Sequence, residues 1–175
     1  MCMMENDDDM RIVGAPEPEK SDFPPEWIAH TENGNIDRAH RLGANFAQQL
    51  LNIEDNDPSA KLQKQMLFAF AVHAGGLKLL PDAVIYDTVY STFFSRLRTL
   101  LPDFEDTMRR LGTFTFYRMC ATDNGDFPAQ KVGEVFAALY GKADDVTVEK
   151  QGADLFLSYL VRLEETVGLV EFSAI

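Results

Sequence analysis

Hydrophobic positions recur along most of this chain at intervals of three and four residues, and one stretch, Met66–Leu77, exceeds even that rhythm. Its twelve residues, Met-Leu-Phe-Ala-Phe-Ala-Val-His-Ala-Gly-Gly-Leu, carry no formal charge and one polar side chain, His73. On a helix they are apolar nearly all the way round, which demands burial on every side or a membrane. A membrane span needs about 20 apolar residues. The run therefore predicts the central helix of a globular helical bundle.

Around it the 3.6-residue period predicts about six helices in one all-α domain. Helix one covers 36–53, with Asn35 as its N-cap. Ile36, Ala39, Gly43, Phe46, Ala47 and Leu50 share an arc that also contains His40, while Arg38, Arg41, Asn45 and Gln48 lie opposite. Asp57 then caps helix two and Pro58 opens it. That helix runs to Ala74 or on to Leu79, depending on whether Gly75–Gly76 ends it, kinks it or admits a close neighbour. Helix three lies between Pro81 and Pro102, with Tyr86, Val89, Tyr90, Phe93, Phe94, Leu97 and Leu100 on one face. Helix four covers 103–120 through Phe104, Met108, Leu111 and Thr115. A turn at Thr122–Asp126 leads to helix five, 128–140, which buries Val132, Val135, Phe136 and Leu139. Helix six, 148–167, buries Phe156, Leu157, Leu160, Val161 and Leu163, and the last residues, 169–175, pack as an extended tail.

A length of 175 residues suits one domain, and 13 Phe supply a core that needs neither metal nor disulfide. Charge divides the chain unevenly. Residues 1–34 hold nine acids against two bases, while residues 35–175 hold nineteen against fourteen, within a total of −12. With Pro16, Pro18, Pro24 and Pro25, residues 1–34 read as an irregular acidic arm. Phe23, Trp27 and Ile28 are poor residues to leave in water and should dock this arm on the helical domain of 35–175. The acidic balance argues against nucleic acid as a partner. With no long apolar run and no leader pattern, the chain reads as soluble, cytoplasmic and independent of membranes. Cys2 and Cys120 are too sparse for a disulfide framework or a zinc site.

Candidate chemistry is confined to four residues. His40 and His73 fall on predicted buried faces, Glu164 lies within the apolar arc of helix six, and Arg118 projects near the Leu111 face of helix four. If they converge, they form a ligand pocket inside the bundle. If they do not, each needs only one structural partner. Asp37-x-x-His40 has the spacing of a carboxylate-bridged metal bundle but lacks the second pair such a site requires. Asp123-Asn-Gly-Asp126 resembles part of a calcium loop, yet Cys120 and Lys131 stand where the first ligand and a bidentate Glu belong. No nucleophile elbow, phosphate loop, dinucleotide fingerprint or zinc-protease motif occurs. The sequence thus predicts no catalytic residue, no metal and no cofactor. The leading expectation is a non-enzymatic intracellular interaction or scaffold protein. A protein partner or a second copy, making a homodimer, would cover helices four to six, and the acidic arm would face that partner. The alternative is a small-molecule-binding or sensor bundle built around His40, His73, Arg118 and Glu164.

Overall fold

The structure is a computed structural model and describes residues 22–175. Most of the expected acidic arm, with Cys2, lies outside the described residues. Within them the chain is all-α, with eight helices where the period predicted six.

The first additional helix is α1 (Pro25–Glu32), inside the segment expected to be irregular. Pro25 sits in its first turn, where a proline's fixed φ suits the helix and its missing N–H costs nothing. The residue read as a breaker is therefore a starter. Trp27 packs against the core, and Phe23 stacks on it with ring centroids 4.4 Å apart.

Helix α2 (Asn35–Leu51) starts one residue earlier than predicted, and Asn35 is not its cap. Gly34 takes that position at φ +78°, a conformation that costs glycine little. Asn35 is buried within the first turn, and its amide is spent on distant groups. Nδ2 donates to the Ser173 carbonyl at 2.8 Å and to His30 Nδ1 at 2.9 Å. Oδ1 accepts from the Ser173 N–H at 2.9 Å and from Arg38 at 3.1 Å. The extended tail is thereby clamped to the body, with Val170 and Phe172 packed on the core. Because Ser173 orients the amide, His30 Nδ1 must accept and Nε2 carries the hydrogen. Nε2 lies 2.9 Å from Asp82 Oδ2 but out of line for a hydrogen bond, so that contact is electrostatic.

Helix α3 (Pro58–Leu79) is the predicted central helix. Asp57 caps it through the Ser59 N–H, and every residue from Met66 to Val72 is 2% exposed or less. It is packed by α2, α4 (Ala83–Leu100), α6 (Thr113–Arg118), α7 (Ala129–Leu139) and α8 (Val146–Gly168). Gly75–Gly76 neither ends nor breaks it. A Cβ on Gly75 would stand 3.2 Å from Leu163 of α8, and one on Gly76 3.1 Å from the Tyr86 ring of α4.

Two helix pairs flank this core at close quarters. A Cβ on Gly43 would lie 2.5 Å from the Val89 carbonyl oxygen, so α2 meets α4 backbone to backbone. A Cβ on Gly133 would lie 2.2 Å from the Glu149 oxygen, and the same holds for α7 against α8.

The predicted helix four is two helices, α5 (Phe104–Arg110) and α6, broken at Gly112 with φ +63°. The break turns Leu111 and Thr115 outward, away from the buried face expected of them. Helix α8 also presents a different stripe. Gly152, Phe156, Tyr159 and Leu163 are buried, whereas Leu157 and Val161 are 50% and 54% exposed. Gly152 sets that rotation, because only a residue without a Cβ admits the Phe136 ring there.

Candidate functional site

His73 ends the run of fully buried α3 residues and faces α4 and α6. Its Nδ1 lies 2.7 Å from the Tyr86 hydroxyl, and Tyr86 itself is seated by the space Gly76 leaves. The rings of Phe70, Tyr86, Tyr90 and Phe114 surround the imidazole at 5.9–6.2 Å between centroids. Burial, with the Arg118 guanidinium adding to it, holds the imidazole below its ordinary value. Burial also pushes the Tyr86 phenol well up, so it is a hydrogen-bonding group and not a phenolate nucleophile at neutral pH.

Arg118 projects from the last turn of α6. Its field reaches His73, Tyr86 and Tyr90, yet its guanidinium makes no ion pair or hydrogen bond among the described residues. Of the four residues predicted to converge, the structure brings His73 and Arg118 to one seam. The other two lie elsewhere. His40 is exposed, not buried, and bonds Thr92 Oγ1 at 2.7 Å across the rim of the α2–α4 seam. Gly43 draws those helices so close that no room is left between them for an imidazole. Glu164 is exposed as well. It edges a groove beside Lys78, Leu79 and Phe127, carried outward by the same rotation of α8 that exposes Val161. A buried His/Arg/Glu pocket of all four is not formed.

A different cavity adjoins the His73 seam through Tyr90. It lies between α4, α5 and α6 and encloses about 430 Å³, within the roughly 300–1,000 Å³ typical of small-molecule sites. Tyr90, Phe94, Met108 and Phe114 form apolar walls, and the break at Gly112 opens one side. Charge sits at the rim. Arg98 grips Glu105 with two nitrogens at 2.6 and 3.2 Å. Arg109 stands 3.8 Å from the same carboxylate and 3.1 Å from Asp106. The Tyr90 hydroxyl has no hydrogen-bond partner among the described residues, and burial raises its pKa while Arg118 opposes the shift. The helical period could not point to this cavity, because it exists only where helix four divides. The readable signal was Gly112 followed by the alternating Thr-Phe-Thr-Phe.

Other reactive groups are occupied. Cys120 is buried, its thiol pushed up by burial and by Glu134, with Sγ 3.5 Å from the Lys131 carbonyl. Asp55 is paired with Lys64 at 2.6 Å, and Asp57 accepts from Tyr140 at 2.7 Å, which lowers both carboxyls. Among the described residues no three His, Cys, Asp or Glu side chains stand close enough to share a metal ion. No helix among them is long and apolar enough to cross a membrane. The chain matches no protein-family profile, no curated protein and no solved structure.

Proposed function

We propose that this protein is a non-enzymatic, cytoplasmic helical binding protein that takes a small molecule in the α4–α5–α6 cleft. The observation that supports this most is the cleft itself: aromatic walls, a charged rim and the unpartnered Tyr90 hydroxyl around a ligand-sized space. His73 and Arg118 back the Tyr90 wall and set its electrostatics, so two of the four candidate residues keep a role beside the ligand. His40 and Glu164 do not. The unpaired Cys120 thiol fits a reducing compartment.

A second reading, a scaffold that binds a partner protein or a second copy, is favoured by exposed apolar side chains outside the cleft. Phe116 and Met119 of the α6 segment are 49% and 75% exposed. Such residues in groups mark contact surfaces more often than single ones do.

Native mass spectrometry of protein purified from its own cells separates the two. A small discrete increment above 19.7 kDa that vanishes in Thr115→Trp, which fills the cleft from an exposed position, is the expected result. A clean multiple of the monomer, or a co-purifying protein with no small increment, would replace the ligand reading with the scaffold.

A further inference from the structure

We propose that the clamp on the C-terminal tail is a pH-sensitive latch: a proton taken up by His30 cannot be accommodated while Asn35 holds Ser173, so mild acid frees residues 170–175 from the body. The Asn35 amide is fully committed. Oδ1 accepts from the Ser173 N–H and from Arg38, while Nδ2 gives one hydrogen to the Ser173 carbonyl and the other to His30 Nδ1. A neutral imidazole with its hydrogen on Nε2 accepts at Nδ1, but a protonated ring carries hydrogens on both nitrogens. Proton uptake therefore sets Nδ1–H against the Asn35 Nδ2–H, and two buried donors are left facing each other. Turning the amide over would give Nδ1–H an acceptor. It would also set Oδ1 against the Ser173 carbonyl, and Nδ2 against the Ser173 N–H and the Arg38 guanidinium. Neither arrangement keeps the tail bonded. His30 and Asn35 are 2% and 0% exposed, whereas Ser173 is an exposed residue whose backbone groups water can serve. The tail is thus the member that yields.

The charges around the ring give the proton a place once the tail has moved. Asp82, which caps α4 through the Ile85 N–H, has Oδ2 2.9 Å from His30 Nε2. The opposing cation is Arg38 of α2, kept one group away by its bonds to Asn35 Oδ1 at 3.1 Å and the Asn33 carbonyl at 2.9 Å. On α1 itself Glu26 precedes the ring by one turn. Glu171 of the tail lines a groove with Arg38 and Arg41, and Lys78 near the end of α3 is engaged by Asp126. The nearest charge to the imidazole is therefore a carboxylate. The tail-free state takes the proton and the clamped state refuses it. Tail attachment is then complete at high pH and weakens as the pH falls through the histidine range, by at most about tenfold per pH unit for one proton. No residue of the clamp lines the α4–α5–α6 cleft, so the latch stands apart from the binding reading above.

The test is an NMR titration of the full chain from about pH 8 to 5, the span over which histidine changes charge. The His30 ring carbons report the proton, and the Ser173 amide reports the tail. The expected result is a Ser173 amide that moves to its random-coil shift with the same midpoint as the His30 ring, while the α3 amides stay in place. His30→Asn sets an amide oxygen in place of Nδ1 and takes up no proton, so Ser173 should stay bonded across the range. Asp82→Asn keeps a side-chain oxygen to cap α4 but removes the charge beside Nε2. It should move both midpoints together to lower pH. A His30 ring that charges with Ser173 still bonded, a ring that stays neutral throughout, or release that persists unchanged in His30→Asn overturns the latch. If His30→Asn does not fold, Asp82→Asn decides, and midpoints that separate or stay where they were overturn the proposal.

Discussion

Two residues, one half-buried and one fully buried, respond to their surroundings in opposite ways. His73 is held neutral by burial and by Arg118, so its folded pKa lies below the unfolded value near 6.5. Below that value the unfolded chain takes up a proton that the folded chain refuses. Stability is therefore complete above about pH 6.5 and falls as the pH drops toward the folded pKa. Urea melts from pH 7 to 5 should show a flatter pH dependence for His73→Asn than for the natural chain. Tyr117 is fully buried, with a hydroxyl that meets no partner among the described residues, and burial raises its pKa. Tyr117→Phe deletes an unsatisfied group and keeps the ring, so thermal unfolding should show no loss and a gain of up to about 1 kcal/mol. At this scale the sequence was legible where the deciding chemistry is local. Asp57 before Pro58 reads as a cap and is one. Asn35 also reads as a cap, but its amide answers to Ser173, 138 residues away, and no window of sequence displays that.

The central helix was the most readable element, since seven successive buried residues leave the period no other meaning. The helices next to it were readable in extent but not always in face. On α2 the apolar arc was right and His40 was misplaced, because Gly43 brings α4 too near for the arc's edge to be buried. On α8, Gly152 fixes a rotation that depends on Phe136 of another helix. The cleft escaped for a related reason, since it depends on the left-handed turn at Gly112. These glycines differ in what a methyl group would do. Gly43→Ala and Gly133→Ala would each force two backbones apart and should cost about 1–3 kcal/mol, as overpacking does. Gly168→Ala meets nothing within 4 Å at the end of α8 and should stabilise by about 0.4–1 kcal/mol. Denaturant midpoints of the three variants test the contrast directly.

For the molecule as a whole, the clamp formed by His30, Asn35 and Ser173 ties α1, α2 and the C-terminal tail into one unit. Removing residues 170–175 strips Asn35 of two partners and uncovers the core beneath Phe172. A loss of about 3 kcal/mol is expected from the unmet amide and the lost packing, which lowers Tm by roughly 6–12 °C in a chain of this size. Asn35→Ala in the intact chain should itself lose stability, because Ser173 would then have no amide to bond. The same clamp bears on the order in which the protein is made. An eight-residue helix is too short to persist alone in water. Helix α1 leaves the ribosome ahead of every other helix described here, yet its His30 is bonded to an Asn35 amide that Ser173 orients. Among the described helices, the first to be made thus has its hydrogen-bonded link to α2 fixed only when the last residues of the chain arrive.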